Sequence, residues 1–300
     1  MESVVAAHEI IHEVAHSDKS GFIFKLDYEK AYDRVDRTFL LKMLASRGFS
    51  VKFISLVQSL LDNGSFGVRI NDVNSDFFID GRGVRQGDPI SALLFNLTTD
   101  IFTKMLIRAA NNNLIVGLLH GFNITGIISM QYADDTLLFL RMERSYVLNL
   151  KWLLSCFEHL SGMRINFHKC DLVSINVPEE EAQNFSQVLS CRLGAFPLKY
   201  LGVPLHHSRL RKEYLQPVVD KIIKKTLGWR GRLMSHAAKL ELVRNVLASI
   251  PIYLLSVIKF PKWAIALINS QMAHCLWDNY EGHFKYHLAS WGFLAQKKEF

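Results

Sequence analysis

Cysteine is scarce and scattered in this chain. The four thiols, Cys156, Cys170, Cys191 and Cys275, form no C-x-x-C pair, so the sequence gives neither a zinc ribbon nor a disulfide framework. No run of 18 or more uncharged apolar residues occurs. The nearest, LASIPIYLLSVIKF at 247–260, is interrupted by Pro251 and Lys259, so a membrane-spanning helix is not expected. The first 20 residues contain Glu2, His8, Glu9, His12 and Glu13 and lack a basic segment ahead of an apolar one, so a secretory signal is not expected and an intracellular protein is. Internal repeats and low-complexity tracts are missing as well. What remains is a globular composition, 300 residues with 49% hydrophobic and 21% charged, enough for one large core or two modest ones.

The formal charge of +7 points to an anionic partner without identifying it. Its distribution says more. Residues 1–205 carry 20 Lys and Arg against 22 Asp and Glu, whereas residues 206–300 carry 15 against 6. The whole excess belongs to the last third.

Apolar periodicity predicts a helix over 2–16, a strand over 21–28 (GFIFKLDY) and two helices over 38–61 broken at Gly48-Phe49-Ser50. A hairpin about Asn71-Asp72 (66–80) leads to a Gly-rich turn at 81–89, then to a long helix from Pro89 to about Ala110. A second hairpin is expected at 127–141, followed by a helix (145–161), a strand (170–177), a short helix (179–190) and a tight segment at 200–205. From about 209 onward only helical patterns remain. Mixed strands and helices followed by helices alone predict an α+β domain and then a helical one, divided near 206–210.

The most informative residues are two acids at a hairpin turn, Asp134-Asp135, between the apolar segments 127–132 and 136–140. Adjacent carboxylates in so apolar a setting repel each other and are costly to desolvate, which favours a cation beside them. Mg²⁺ is a natural candidate, because it takes one or two carboxylates and completes its shell with phosphate oxygens. Asp27, at the end of the apolar strand FIFKLD, is a second source of acid. If the two strands are neighbours, Asp27 and Asp134 could bridge two ions about 3.5–4 Å apart, as in-line phosphoryl transfer requires. The pair also reads as an ordinary Asp-rich turn, and the residues alone leave both readings open.

Three longer stretches resemble reverse transcriptase motifs: F-x-L-D-Y-E-K-A-Y-D at 24–33 the A motif, G-V-R-Q-G-D-P-I-S-A-L-L-F-N at 83–96 the B motif, and Y-A-D-D at 132–135 the C motif. L-S-G-M-R-I-N-F-H-K-C at 160–170 is similar to the D motif and Y-L-G-V-P-L at 200–205 to the E motif. Their order and spacing fit, and the wording is similar to non-LTR, LINE-type retrotransposon polymerases of plants. The resemblance implies a right-hand polymerase palm, a ferredoxin-like antiparallel sheet with helices on one face, over residues 1–205. An all-helical thumb-like domain over 206–282 and a C-terminal tail at 283–300 would follow.

The same resemblance makes Asp27, Asp134 and Asp135 the metal-binding acids for two Mg²⁺ or Mn²⁺ ions. Lys169 becomes a proton donor to the pyrophosphate leaving group. Tyr32 falls at the steric gate beneath the incoming sugar, although a core tyrosine fits equally well. Gln86 and Gly87 take the B-motif position, where glycine lets backbone approach the nascent base pair, and Arg85 is a candidate phosphate ligand. Expected partners are an RNA template, a DNA primer and deoxynucleoside triphosphates, without a membrane, at a nuclear site of target-primed synthesis. The family's fingers are expected ahead of residue 1, so the chain alone is expected to extend primers poorly.

The cations Lys221, Lys224, Lys225, Arg230 and Arg232 lie in a segment whose apolar residues, including Val218, Val219, Ile222 and Ile223, recur with helical period. On a thumb such a face would track the nucleic-acid backbone; a solvated basic helix is the alternative. Trp229 and Trp263 could stack on bases, with core packing the favoured reading for both. A catalytically silent nucleic-acid-binding remnant is the second functional reading. A third comes from His8-Glu9-Ile10-Ile11-His12, which spells H-E-x-x-H, a zinc hydrolase signature. No metzincin continuation follows it, and His16 is too near to be the usual distant ligand.

Overall fold

The computed structural model describes residues 2–119, 127–208, 211–226, 234–277 and 289–295. Contacts group the chain into two units, Ala6–His207 and a second formed by Ser208–Phe300 with the first five residues.

After α1 (Glu2–Ala15) comes a five-stranded sheet, in spatial order β6 (Ser129–Tyr132), β7 (Asp135–Arg141), β1 (Gly21–Leu26), β8 (Asp171–Ile175) and β9 (Arg192–Leu193). Its centre is β1, paired antiparallel with β7 on one side and β8 on the other. β6 closes a hairpin with β7, and β9 pairs parallel to β8. That parallel pair is a departure from the expected all-antiparallel sheet. The position of β1 explains its composition: a strand with neighbours on both edges and cover on both faces is apolar almost throughout.

Phe22, Phe24 and Leu26 point into the main core with Leu138, Leu140 and Leu172. Against this face lie α2 (Arg37–Ser46), α4 (Pro89–Asn111), α5 (Arg144–Ser161) and α6 (Glu179–Leu189), contributing Leu40, Phe95, Phe102, Phe157 and Phe185. Burying Phe22 and Phe24 contributes about 1.5–3 kcal/mol each. The opposite face is covered too, with Ile23, Leu137, Phe139 and Val173 at most 1% exposed. From that face Lys25 Nζ donates to Lys199 O at 2.8 Å, on the hairpin formed by β10 (Leu198–Tyr200) and β11 (Val203–Leu205). Helices α2, α4, α5 and α6 thus lie on one face of the sheet, as expected, and the β10–β11 hairpin lies against the other.

Local signals end the helices where the sequence places them. Asp36 caps α2 by accepting from Phe39 N at 2.6 Å, and Asp88 caps α4 ahead of Pro89. Gly162, at φ +73°, ends α5 in the left-handed conformation that favours glycine. Among the described residues α4 is long and apolar enough to cross a membrane by length and composition. Its apolar face, with Leu94, Phe95, Phe102 and Leu106, lies in the core.

Between α3 (Val51–Asp62) and α4 runs a nested ribbon, β2 (Ser65–Phe66) paired with β5 (Phe78–Ile79) and β3 (Arg69–Ile70) with β4 (Val73–Asn74). It turns at Asn71 and Asp72, both at positive φ, as the residue types predict.

The second unit is helical, with no strand among its described residues. α7 (Lys212–Thr226) buries Leu215, Val219 and Ile222, and α10 (Lys262–Trp277) buries Ala264, Ile268 and Met272. Between them α8 (His236–Glu241) continues into a π-helical turn, Leu242–Leu247, and α9 (Ile252–Leu255) follows Pro251. Lys212 Nζ sits 5.6 Å from the centre of the Trp263 ring. Arg230, Arg232 and Trp229 lie outside the described residues, as does most of the expected tail at 283–300.

Candidate active site

The pairing of Leu26 with Thr136 is the last between β1 and β7. The next residue on one strand is Asp27, and the residue before Thr136 on the other is Asp135, so the two acids face each other at one end of the sheet. Asp134 sits beside them in the two-residue turn closed by the Tyr132–Asp135 pair, with Ala133 at φ +52°. Asp134 is exposed; Asp27 and Asp135 are half-buried. Burial raises the Asp135 carboxyl above the usual carboxylate range, Lys25 opposes the shift, and the charges of Asp134 and Asp27 add to it. Asp135 thus senses both neighbouring acids. Among the described residues, however, no three His, Cys, Asp or Glu side chains converge as a metal centre.

Asp27 is held from behind by the segment 164–170. Asn166 N donates to Asp27 O at 2.8 Å, Asp27 N to Cys170 Sγ at 3.4 Å, and Glu29 N to Arg164 O at 2.8 Å. The same segment carries Lys169, exposed, to the acid end of the sheet. On the core side, Tyr28 and Thr136, each next in sequence to an acid, direct buried hydroxyls toward each other. Burial raises the Tyr28 phenol well above its ordinary range, with Thr136 partly opposing the shift.

Tyr32 stacks on Phe95, ring centres 4.4 Å apart, and packs against the core while its edge lines a cleft of about 430 Å³. Ala92, Asn96, Thr99, Asp100 and Thr103 of α4 form one wall, and Gln131, Tyr132 and Ala133 bring the cleft to the acid-bearing turn. Gate and core position are therefore compatible in one residue. The charge in the cleft wall is compensated: Asp100 bonds Arg47 at 2.6 Å and Lys104 at 3.3 Å.

Arg85 is engaged at a helix end. Its Nη2 donates to Leu60 O at 2.8 Å, and its guanidinium lies 5.8 Å from the Phe66 ring centre. A cation at the carbonyl end of α3 complements the helix dipole, so Arg85 is engaged as a cap. Gln86 and Gly87 are exposed. Gly87 has φ +91°, and a Cβ at this position would meet only open space, so conformation and not crowding calls for glycine there. In the same turn Gly83, at φ +76°, is crowded against the Asp33 backbone, a position that local sequence does not single out.

Arg37 was also overlooked. It donates through Nε to Gly83 O, through Nη1 to Asp80 O and through Nη2 to Arg82 O, at 3.0, 2.6 and 3.1 Å. With Gly83 N on Val35 O and Val84 N on Tyr32 O, it fastens the loop ahead of Gln86 to the loop after Asp27. Its placement just after an N-cap aspartate was the only local signal, and it predicts a helix start alone.

The H-E-x-x-H histidines have separate surroundings. His8 is half-buried and meets His206 edge-on, ring centres 5.0 Å apart, while His12 stacks on His16 at 4.2 Å. No third ligand joins them among the described residues, so the structure does not assemble the zinc site that the motif implied. In the second unit Lys221, Lys224 and Lys225 are exposed on α7, opposite its buried face.

A family model described as reverse transcriptase (RNA-dependent DNA polymerase) matches residues 1–205. The chain is 28% identical over 236 residues to the retrovirus-related Pol polyprotein from the type-2 retrotransposable element R2DM of Drosophila melanogaster, covering 73% of this chain and 22% of that protein. It is 24% identical over 283 residues to the transposon TX1 uncharacterized 149 kDa protein of Xenopus laevis, covering 92% and 21%. It thus spans about a fifth of the length of these curated relatives. Among solved structures, telomerase from Candida albicans in complex with a fragment of telomeric RNA aligns with a TM-score of 0.48 at 13% identity, covering 93% of this chain and 48% of that one.

Proposed function

Because the chain belongs to the reverse transcriptase family, we propose that the unit Ala6–His207 is the palm of an RNA-directed DNA polymerase from a non-LTR retrotransposon of the plant LINE type. The observation that carries this reading is the acid constellation: Asp27 opposite Asp135 across β1 and β7, with Asp134 in the adjoining turn. Its donors are hard carboxylate oxygens at an accessible sheet end. Two such carboxylates with substrate phosphate oxygens suit Mg²⁺ or Mn²⁺, and a cation there would favour the ionised form of Asp135, whose carboxyl is raised first by burial and in smaller part by Asp134 and Asp27.

In this reading Asp27 and Asp134 hold two divalent ions, and Asp135 supplies the third carboxylate. Such ions, when bound, lower the pKa of an attacking hydroxyl and screen triphosphate charge. The chain itself contributes orientation. The Asn166–Asp27 bond fixes one acid, the hairpin fixes the other two, and Tyr32 presents a flat surface where the sugar of an incoming deoxynucleoside triphosphate would lie. Lys169 is the candidate proton donor to pyrophosphate, while Gln86 and Gly87 border the template strand. The exposed lysines of α7 would neutralise phosphates of an RNA template and DNA primer.

Extension of a DNA primer on an RNA template in Mn²⁺ tests this. Asp134→Asn should reduce incorporation by about a thousandfold without a change in melting temperature. Equal incorporation by variant and parent would remove the acids from the reaction.

A further inference from the structure

We propose that Cys170 and Cys191 form an oxidisable dithiol site that closes into a disulfide directly behind Asp27. Asp171 pairs with Arg192 in the parallel β8–β9 ladder, so the preceding residues, Cys170 and Cys191, are neighbours on adjacent strands. Arg192 N donates to Cys170 O at 3.1 Å, which ties the two backbones at that point. Both residues are on the same side of the sheet: Cys170 belongs to the main core and Cys191 packs against it. Adjacent strands lie about 4.8 Å apart, within the Cα separation of roughly 4.4–6.8 Å that a disulfide spans. Burial raises both thiols to about 12, with Cys191 adding to the shift of Cys170, so oxidation proceeds from a small thiolate fraction and quickens with rising pH.

Access differs between the two. Cys170 is fully buried and Cys191 is partly exposed, so an oxidant such as hydrogen peroxide reaches Cys191 first. The Cys191 sulfur attacks one peroxide oxygen; an S–O bond forms, the O–O bond breaks, and hydroxide leaves with the thiol proton as water. The Cys170 sulfur then attacks the Cys191 sulfur; the S–S bond forms, the S–O bond breaks, and the second hydroxide leaves with the Cys170 proton as water. Two thiols are oxidised and one peroxide is reduced to two waters.

The consequence lies at Asp27. In the reduced chain Cys170 Sγ accepts from Asp27 N at 3.4 Å and faces Asp27 O at 4.0 Å. Turning that sulfur toward Cys191 removes the partner of the Asp27 amide.

Treating the full chain with hydrogen peroxide, quenching, unfolding and alkylating with iodoacetamide reads the site directly. The reduced chain should take up four alkyl groups, one for each cysteine, and the oxidised chain two. The cross-linked peptide should join Cys170 to Cys191, and dithiothreitol should reverse it. Cys191→Ser should retain all its remaining thiols. In the oxidised chain the Asp27 amide should exchange hydrogen at least about tenfold faster, since it loses its acceptor. Four alkylated thiols after oxidation would overturn the proposal, as would a bridge using Cys156 or Cys275, or unchanged protection of the Asp27 amide. None of these readouts depends on polymerase activity, so failure of the dithiol and failure of the proposed function remain distinguishable.

Discussion

Gly83 lies so close to the backbone of Asp33 that a Cβ on it would sit 2.6 Å from the Asp33 carbonyl carbon, and its own φ is +76°. The loop after Asp27 and the loop before Gln86 therefore meet main chain against main chain at this point. Gly83→Ala meets both the clash and the left-handed strain. It should cost more than about 2 kcal/mol and lower the melting temperature by at least roughly 4 °C. Gly87→Ala, strained but unobstructed, should cost only about 1 kcal/mol. Thermal unfolding followed by circular dichroism separates the two, and equal losses would show that crowding at Gly83 is relieved elsewhere.

Arg37 adds a side-chain clamp to that main-chain contact. Its three donors bond three carbonyls of one loop, Asp80, Arg82 and Gly83, a fork that the single ammonium of lysine does not reproduce. Arg37→Lys should destabilise the chain by about 1–3 kcal/mol, measured by urea unfolding. A smaller loss would mean that the loop holds its place without the clamp.

His8 makes stability depend on pH. Burial, and then the neighbouring His206, lowers its pKa below the ordinary histidine value. A histidine depressed in the folded state binds its proton more readily in the unfolded chain. Its contribution to folding is thus present above the unfolded pKa of about 6.5 and is lost as pH falls through the folded one. The melting temperature should fall between pH 7 and pH 5, and His8→Gln should flatten that part of the profile. An unchanged slope in the variant would assign the acid sensitivity to other groups.

The lysines of α7 make a salt-dependent prediction. If Lys221, Lys224 and Lys225 each neutralise a phosphate, reversing all three to glutamate should weaken binding to an RNA–DNA duplex at least tenfold. It should also reduce the salt slope by about 2–3. Fluorescence anisotropy over a salt series provides both numbers, and parallel slopes would take α7 out of the interface.

Much of this architecture was legible locally. An apolar strand ending in an acid located Asp27, an acid pair between apolar segments located the β6–β7 turn, and Pro89 after Asp88 located the start of α4. Those signals depend on neighbours within a few residues. The tasks of Arg37, Arg85 and Asn176 were not legible in the same way. Asn176 Nδ2 contacts the carbonyls of Val14, Ser17 and Lys19 at 2.8–3.0 Å, and Arg85 caps a helix that ends before the ribbon. Periodicity reports which face of an element is buried and is silent about which distant carbonyl a cation or an amide will find.

By itself, then, the sequence determined the order and type of the elements, the positions of three acids and the concentration of positive charge after residue 205, because propensity, capping and hydrophobic period act over short stretches of chain. Only the tertiary structure decided that Asp27 and Asp135 face each other, that the sheet is covered on both sides and that Gly83 abuts the Asp33 backbone. It also decided that Arg85 serves a helix end and that Cys170 lies behind Asp27 beside Cys191. Each of those outcomes depends on strand register and on contacts between segments far apart in sequence, which take definite values only when the whole core packs.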